Sequence, residues 1–313
     1  MNGLVKLSTK IEEFYIAHRR VAGYVVRVII LFLCMFTISR FIGFNEFLSQ
    51  VWFVAVISLV LGFIPLRYVM MAVLAYTAVQ IFSLSYGLGI VVSIILIVMY
   101  LLFFRYAGQY GFLLMILPLL YLIKIPLTAV LVLAAVGPAV SVVTVLFGTI
   151  FYYLIHYIDV HAVTFASSSG VSEFAKGETL LQGVFGNPEF LSMMVVMFVV
   201  FMVVHFVKRA NSAHSYEIAI AVGTGVYIIL TLASELLFGS MTTAKLLTYC
   251  IGGLVSGILG VIITNVIKPL DYTRTETVEF EDEEYNYYVK AIPKAAFKSE
   301  TVSVKKINKR KNI

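Results

Sequence analysis

The strongest constraint on this chain is a succession of long apolar runs separated by short polar breaks. A helix crossing a bilayer needs roughly 20 mostly apolar residues. By that measure eight runs qualify: 24–42, 47–66, 68–85, 87–104, 138–158, 189–207, 217–238 and 246–267. The composition agrees: of 313 residues, 61% are drawn from AVILMFWYC and only 13% are charged. So few charges cannot cover the outside of a water-soluble globule with that much apolar surface. A soluble enzyme, a disordered chain and a disulfide-stapled scaffold are therefore excluded. The expected class is an all-α, polytopic membrane bundle whose first partner is the lipid bilayer.

Between the fourth and fifth runs, residues 112–136 read FLLMILPLLYLI, then Lys124-Ile125-Pro126, then LTAVLVLAAV. Each apolar piece is too short for a comfortable span. Charge asymmetry bears on what this region does, because loops on the cytoplasmic side carry the excess of Lys and Arg. With a cytoplasmic N-terminus, Arg67 and Arg105 fall inside. Lys208-Arg209 and the basic tail join them only if 112–136 goes out and comes back. The expectation is a short hairpin or two half-length helices within a transmembrane domain 24–268. It is flanked by a basic cytoplasmic segment 1–23 and a cytoplasmic tail 269–313. No cleavable signal peptide is expected, since a polar stretch precedes the first apolar run near Val21. The outer loop 159–188, with its serines and glycines, reads as a flexible surface loop with room for one short helix.

A weak echo links two parts of the chain. Gly62-Phe63-Ile64-Pro65-Leu66 precedes one helix pair and Ile123-Lys124-Ile125-Pro126-Leu127 precedes another. With the topology above, segments 47–105 and 108–158 run in opposite directions, the pattern of inverted repeats that transporters use to build a site near the midplane.

Ionisable residues inside the bilayer are the first places to look for function, because charge there costs at least ~2.5–3.5 kcal/mol at the centre. Arg27, Arg40, Arg105 and Glu217 sit at span ends, where side chains reach the headgroups. Lys124, between Pro118 and Pro126, sits where helical hydrogen bonding must break. Lys124, Pro126 and Gln80 are candidates for a polar pathway, with a surface lysine capping a hairpin as the plainer reading. Glu235 reads as an interfacial acid paired with Lys245. His156, Asp159 and His161 form an H-x-x-D-x-H cluster without a fourth ligand, so no metal is expected. Cys34 and Cys250 lie in apolar runs and imply no disulfide or metal framework. No phosphate-binding loop, HExxH or GxSxG occurs, so neither catalytic residues nor a cofactor are expected. Small residues at Ala219, Gly223, Ala221, Gly225, Gly253 and Gly257 suit close helix packing, within the monomer or in a homo-oligomer.

Past residue 268 the composition shifts. TRTETVEFEDEEYNYYVKAIPK alternates apolar and charged residues, as two short strands or an extended segment would. Phe280, Tyr285, Tyr287 and Tyr288 carry more aromatic surface than a spacer needs, and suggest a segment that docks on a protein partner. The final basic cluster, Lys305 to Lys311, suits anionic headgroups, and no nucleic-acid partner is expected.

The run Asp271-Tyr272-Thr273-Arg274-Thr275-Glu276, then Val278, Phe280-Glu281-Asp282 and Tyr285-Asn286-Tyr287-Tyr288-Val289-Lys290-Ala291-Ile292-Pro293-Lys294, resembles the closing signature of a family of uncharacterised integral membrane proteins from clostridial Firmicutes. Asn286 interrupts an aromatic run that is usually unbroken there. Gly43-Phe44-Asn45-Glu46-Phe47 and Ile64-Pro65-Leu66 extend the resemblance more loosely. It implies a Gram-positive plasma membrane and adds no mechanism. Two functions remain in view. One is a non-enzymatic membrane subunit or scaffold of a cell-envelope complex with a docking tail. The other is a small-solute permease built on segments 47–105 and 108–158.

Overall fold

The computed structural model describes residues 19–107, 111–167, 172–209, 214–238, 243–267, 276–281 and 286–291. Among them are twelve α-helices and one β-hairpin. The first half holds α1 (Arg19–Ile42), α2 (Val51–Leu61), α3 (Leu66–Phe82), α4 (Tyr86–Ala107), α5 (Gly111–Leu122) and α6 (Leu127–Val136). The second half holds α7 (Val142–Val160), α8 (Ala162–Ser167), α9 (Glu173–Phe185), α10 (Pro188–Val207), α11 (Ser215–Phe238) and α12 (Thr243–Ile267).

Among the described residues, five helical segments are long and apolar enough to cross a membrane: Gly23–Ile42, Ala139–Val160, Pro188–Val207, Ser215–Phe238 and Lys245–Ile267. Two of the eight expected spans come out as shorter helices: runs 47–66 and 68–85 yield α2, Val51–Leu61, and α3, Leu66–Phe82, whereas run 87–104 lies within the 22 residues of α4. The reason at 47–66 is local. Asn45 Oδ1 accepts the Leu48 N–H at 3.1 Å, and the Ser49 hydroxyl donates to the Asn45 carbonyl at 2.8 Å. These bonds hold the preceding residues in a turn. Gly62 to Pro65 then ends the helix, leaving 11 residues, or ~16 Å, about half a hydrocarbon core.

The short hairpin α5–α6 lies inside the bundle. Eight of the ten residues of α6 are buried, because α10, α11, α12 and α7 surround it. Its sequence is apolar on every face, as a helix buried all round requires. Leu131 fills the centre. Cβ atoms added at Gly223 or Gly260 would meet it, and one at Gly257 would meet Thr224. These small residues are thus used in packing within the chain, whereas a Cβ at Gly225 would meet nothing. A second core joins α1, α3 and α4 to α7 and α9 through Met35, Ile38, Val73 and Leu88, among others.

Side-chain bonds fix which helix ends lie together. At the end where α1 begins and α12 finishes, here the tail end, Arg27 donates to the Gly62 and Ile64 carbonyls, both at 3.3 Å. Lys208 at the close of α10 donates to the carbonyls of Ala134 and Gly137 at 2.6 and 2.8 Å. Those are carbonyls that the end of α6 leaves without a helical partner. Asn265 donates to Glu217 at 3.4 Å at the same end.

At the opposite end, the expected flexible loop 159–188 is instead a packed element. Helix α9 lies on α4 and α7, burying Lys176, Gly177, Leu180 and Val184. Its glycines, read from sequence as flexibility, are contact surface: a Cβ at Gly177 would strike Val91 and one at Gly183 would strike Tyr157. Glu173 holds its start, pairing with Lys176 at 2.8 Å and accepting the Gly87 N–H at 2.8 Å and the Ser85 hydroxyl. The Lys176 ammonium, Ser85 and the Gly87 N–H together hold the Glu173 carboxyl down to about 2.

Beyond α12, β1 (Glu276–Glu281) and β2 (Asn286–Ala291) pair antiparallel. The register sets Val278 opposite Val289 and Phe280 opposite Tyr287.

Candidate functional site

Among the described residues, the turn between α5 and α6 is the one that holds a non-glycine residue at positive φ. Lys124 N–H donates to the Tyr121 carbonyl at 3.1 Å, and Ile125 N–H reaches back to the Leu120 carbonyl at 2.9 Å. This pair of bonds is the Schellman closure of a helix, whose left-handed residue is most often glycine, with proline soon after. Pro126 is in place as the N-cap of α6. The left-handed residue is Lys124, with φ of 63°. A side chain there costs ~1–2 kcal/mol, so the turn would form more readily with glycine.

The turn is not at the end of the bundle, although Leu122 and Ile123 beside Lys124 are exposed on its flank. A Cβ added at Gly252 would run into the Lys124 carbonyl oxygen, so the turn lies against α12 nine residues after that helix starts at Thr243. At 1.5 Å per residue this is ~14 Å along the helix. Lys124 therefore sits part-way along α12, beyond the helix end at which a lysine capping a hairpin is expected.

Above the turn, away from the tail end, is a cavity of about 440 Å³. Its floor is Tyr121, Lys124 and Pro126, with Tyr227 of α11 beside them. One wall is α7, presenting Tyr152, Tyr153, His156 and Tyr157. Met193 of α10 and Thr248 and Tyr249 of α12 form the facing wall, and Gly183 and Val184 of α9 close a third side. Asn187 and Glu189 lie where α10 begins. The Asn187 side chain caps that helix by accepting the Glu189 N–H at 2.9 Å, with Pro188 in its first turn.

Aromatic rings line much of this space. Tyr121 and Tyr152 stack with centroids 4.1 Å apart and planes 6° from parallel, and His156 continues the stack on Tyr152 at 5.5 Å and 6°. Tyr121 is fixed by a hydrogen bond of 3.3 Å with the Thr149 hydroxyl. The spacing of Tyr152 and His156 four residues apart puts both rings on one helix face.

Charges in the cavity divide into paired and unpaired. Lys245 lies 3.5 Å from Glu235, whose other carboxylate oxygen accepts from the Tyr249 hydroxyl at 3.3 Å. The expected Glu235–Lys245 pair is therefore present. Lys124 and Glu189 are both exposed to the cavity. Among the described residues neither side chain has a hydrogen-bonding or ionic partner. His156 lies within electrostatic reach of both.

The other sequence candidates are placed elsewhere. Gln80 is fully buried on α3, where its carbonyl oxygen accepts the Asn45 N–H at 2.9 Å and its amide donates to the Tyr76 hydroxyl at 3.0 Å. It fastens the α1–α2 turn and does not line the cavity, so it is removed from the pathway. His156, Asp159 and His161 do not converge: no group of three or more metal-ligating side chains occurs among the described residues. His161 is turned to the Tyr157 carbonyl at 3.0 Å. In the tail, Tyr287 is 37% exposed, Phe280 and Tyr288 are placed by backbone register alone, and Tyr285 lies outside the described residues. Compared with family models, curated proteins and solved structures, the chain gives no match.

Proposed function

We propose that this membrane protein is a small-solute permease, and that the Lys124 cavity is its solute site. The observation that carries the reading is a lysine kept at a glycine position of a helix-closing turn, unpaired, on the floor of a polar aromatic cavity. A fold selected for packing alone would not retain it. Strain at a backbone position is a pointer to function when the surroundings hold it in place, and broken helices inside the membrane are tolerated where they line a cavity. The order short helix, Ile-Pro-Leu turn, helix, helix recurs in α2–α4 and α5–α7. The packing does not recur: α3 rests on α4 in the first unit, and α5 rests on α7 in the second. The inverted-repeat argument thus supports the permease reading less than the cavity does.

Charge supports an orientation. Arg27, Lys208 and Arg209 lie at the tail end with Glu217, whereas Arg40, Lys176 and Lys245 lie with Glu46, Asp159, Glu173, Glu178 and Glu189 at the cavity end, Lys176 and Lys245 each being paired with a carboxylate. This supports a cytoplasmic tail end, both termini inside, and a cavity opening to the exterior of the plasma membrane.

The test is uptake into proteoliposomes of a mixed pool of labelled amino acids, organic acids and sugars. Asparagine tolerates the left-handed conformation, so Lys124→Asn keeps the turn and removes the charge. Uptake falls to background while the inserted amount is unchanged. Equal uptake by the variant contradicts the proposal.

The tail supports a second, compatible reading, a docking element for an envelope complex. Alternation along β1 and β2 puts positions 278, 280, 287 and 289 on one face of the hairpin, and Val289 is 43% exposed. Deleting residues 271–294 then loses co-purifying proteins and leaves insertion intact. Retention of every partner ends that reading.

A further inference from the structure

The identity of the solute is the next question, and the answer here rests on the cavity reading above. Two charges in the cavity lack a counter-charge among the described residues. One is the Lys124 ammonium on the floor. The other is the Glu189 carboxylate, one residue after the start of α10 and therefore at the mouth. Lys245 does not enter this balance, because Glu235 neutralises it within the wall. Between floor and mouth the lining is ring faces and hydroxyls, led by the Tyr121–Tyr152–His156 stack.

A bare organic anion would answer Lys124 and leave Glu189 facing apolar ligand surface. An organic cation would do the reverse. Each leaves one of the two charges facing the ligand without a counter-charge. A neutral sugar would use the hydroxyls and satisfy neither charge. The complement of a deep cation, a shallow anion and aromatic walls is a solute with a carboxylate at one end, an ammonium at the other and a ring between. The volume of about 440 Å³ lies in the lower part of the ~300–1,000 Å³ range of small-molecule sites.

We propose that the cavity binds zwitterionic, ring-bearing solutes of the amino-acid and short-peptide class, carboxylate down on Lys124 and ammonium up at Glu189. Recognition is then two separable charge contacts with ring stacking between them, and each contact has its own signature.

The experiment uses the full chain in detergent micelles and three probes: phenylalanyl-phenylalanine, its N-acetyl form and its C-terminal amide. Binding is read by calorimetry. The free dipeptide binds, and blocking either end weakens it about tenfold or more, the usual worth of a charged hydrogen bond. Glu189→Gln abolishes the preference over the N-acetyl form alone, and Lys124→Asn abolishes the preference over the amide alone. Equal binding of free and blocked dipeptides, or no binding of any probe, overturns the solute class. Lys124→Cys that still reacts with a thiol reagent from the cavity side leaves the cavity itself standing in that case. Failure of that labelling removes the cavity reading as well.

Discussion

The chain contains two Ile-Pro-Leu turns with nearly the same local sequence, and they do opposite things. In Gly62-Phe63-Ile64-Pro65, at the tail end, the glycine is in ordinary right-handed conformation with φ of −57°. A cation from a neighbouring helix, Arg27, bonds two of its carbonyls. In Ile123-Lys124-Ile125-Pro126 the left-handed residue is a lysine, and its ammonium is free in the cavity. The glycine sits where flexibility is not used, and the lysine sits where flexibility is needed. The first turn is therefore explained by packing and hydrogen bonding alone. The second is held by Gly252 and its Schellman bonds at the expense of local strain, and its explanation lies in what the ammonium faces.

The largest effect separating the two turns is expected from Gly62→Val. An added Cβ would approach Val28 at 2.5 Å and Tyr24 at 2.9 Å, and overpacking of this kind costs about 2 kcal/mol. Thermal unfolding in micelles should show the loss, with solute affinity unchanged in the folded fraction. Loss of affinity there would mean that the turns are coupled. Next comes Lys124→Gly, which removes the left-handed penalty and should stabilise the fold by ~1 kcal/mol while binding is lost. A destabilised variant would show that the lysine serves the fold. Arg27→Gln should cost ~1 kcal/mol through the two carbonyl bonds and leave binding intact.

Much of this architecture is readable from sequence, for physical reasons that also mark the limit. Long runs such as 189–207 and 217–238 are unambiguous because length and apolarity suffice. The hairpin at 112–136 is readable from charge asymmetry, because only two crossings keep Lys208 and Arg209 with the other cations. The depth of its turn is not readable, since it depends on Gly252 approaching a carbonyl across the bundle. The span expected over 47–66 comes out short because Asn45 and the Gly62–Pro65 turn trim a helix that apolarity alone extends. The close packing of α9 is not readable, because glycine signals flexibility and close packing equally, and only Val91 and Tyr157 decide between them. Of the site, Lys124 and Pro126 are visible as charge and helix breaker in an apolar run. The tyrosines are not, because six of them among 19 in the chain converge from four elements that sequence spacing does not relate. Gln80 looks like a pathway residue for the same reason that it is a buried fastener: it is polar within a helix.

The smallest effect expected is a pH response of the cavity rim. The Glu173 carboxyl is held low, to about 2, chiefly by Lys176. Its contribution is complete above the unfolded carboxylate value of ~4.3 and is lost as pH falls toward the folded value. The protection of α9 amides, taken relative to their intrinsic exchange rate at each pH, should therefore fall between about pH 4 and pH 2 and be constant above about pH 5. In Glu173→Gln the protection is lowered throughout. An α9 that loosens instead as pH rises would contradict the clip.

The central claim is that Lys124 lies on the floor of a cavity open away from the tail end. It is tested most directly by thiol labelling of Lys124→Cys in a chain carrying Cys34→Ala and Cys250→Ala. A membrane-impermeant maleimide is added to right-side-out or inverted vesicles. The account predicts rapid labelling in right-side-out vesicles and little in inverted ones. Labelling confined to inverted vesicles, or absent from both while the denatured protein reacts fully, would contradict it.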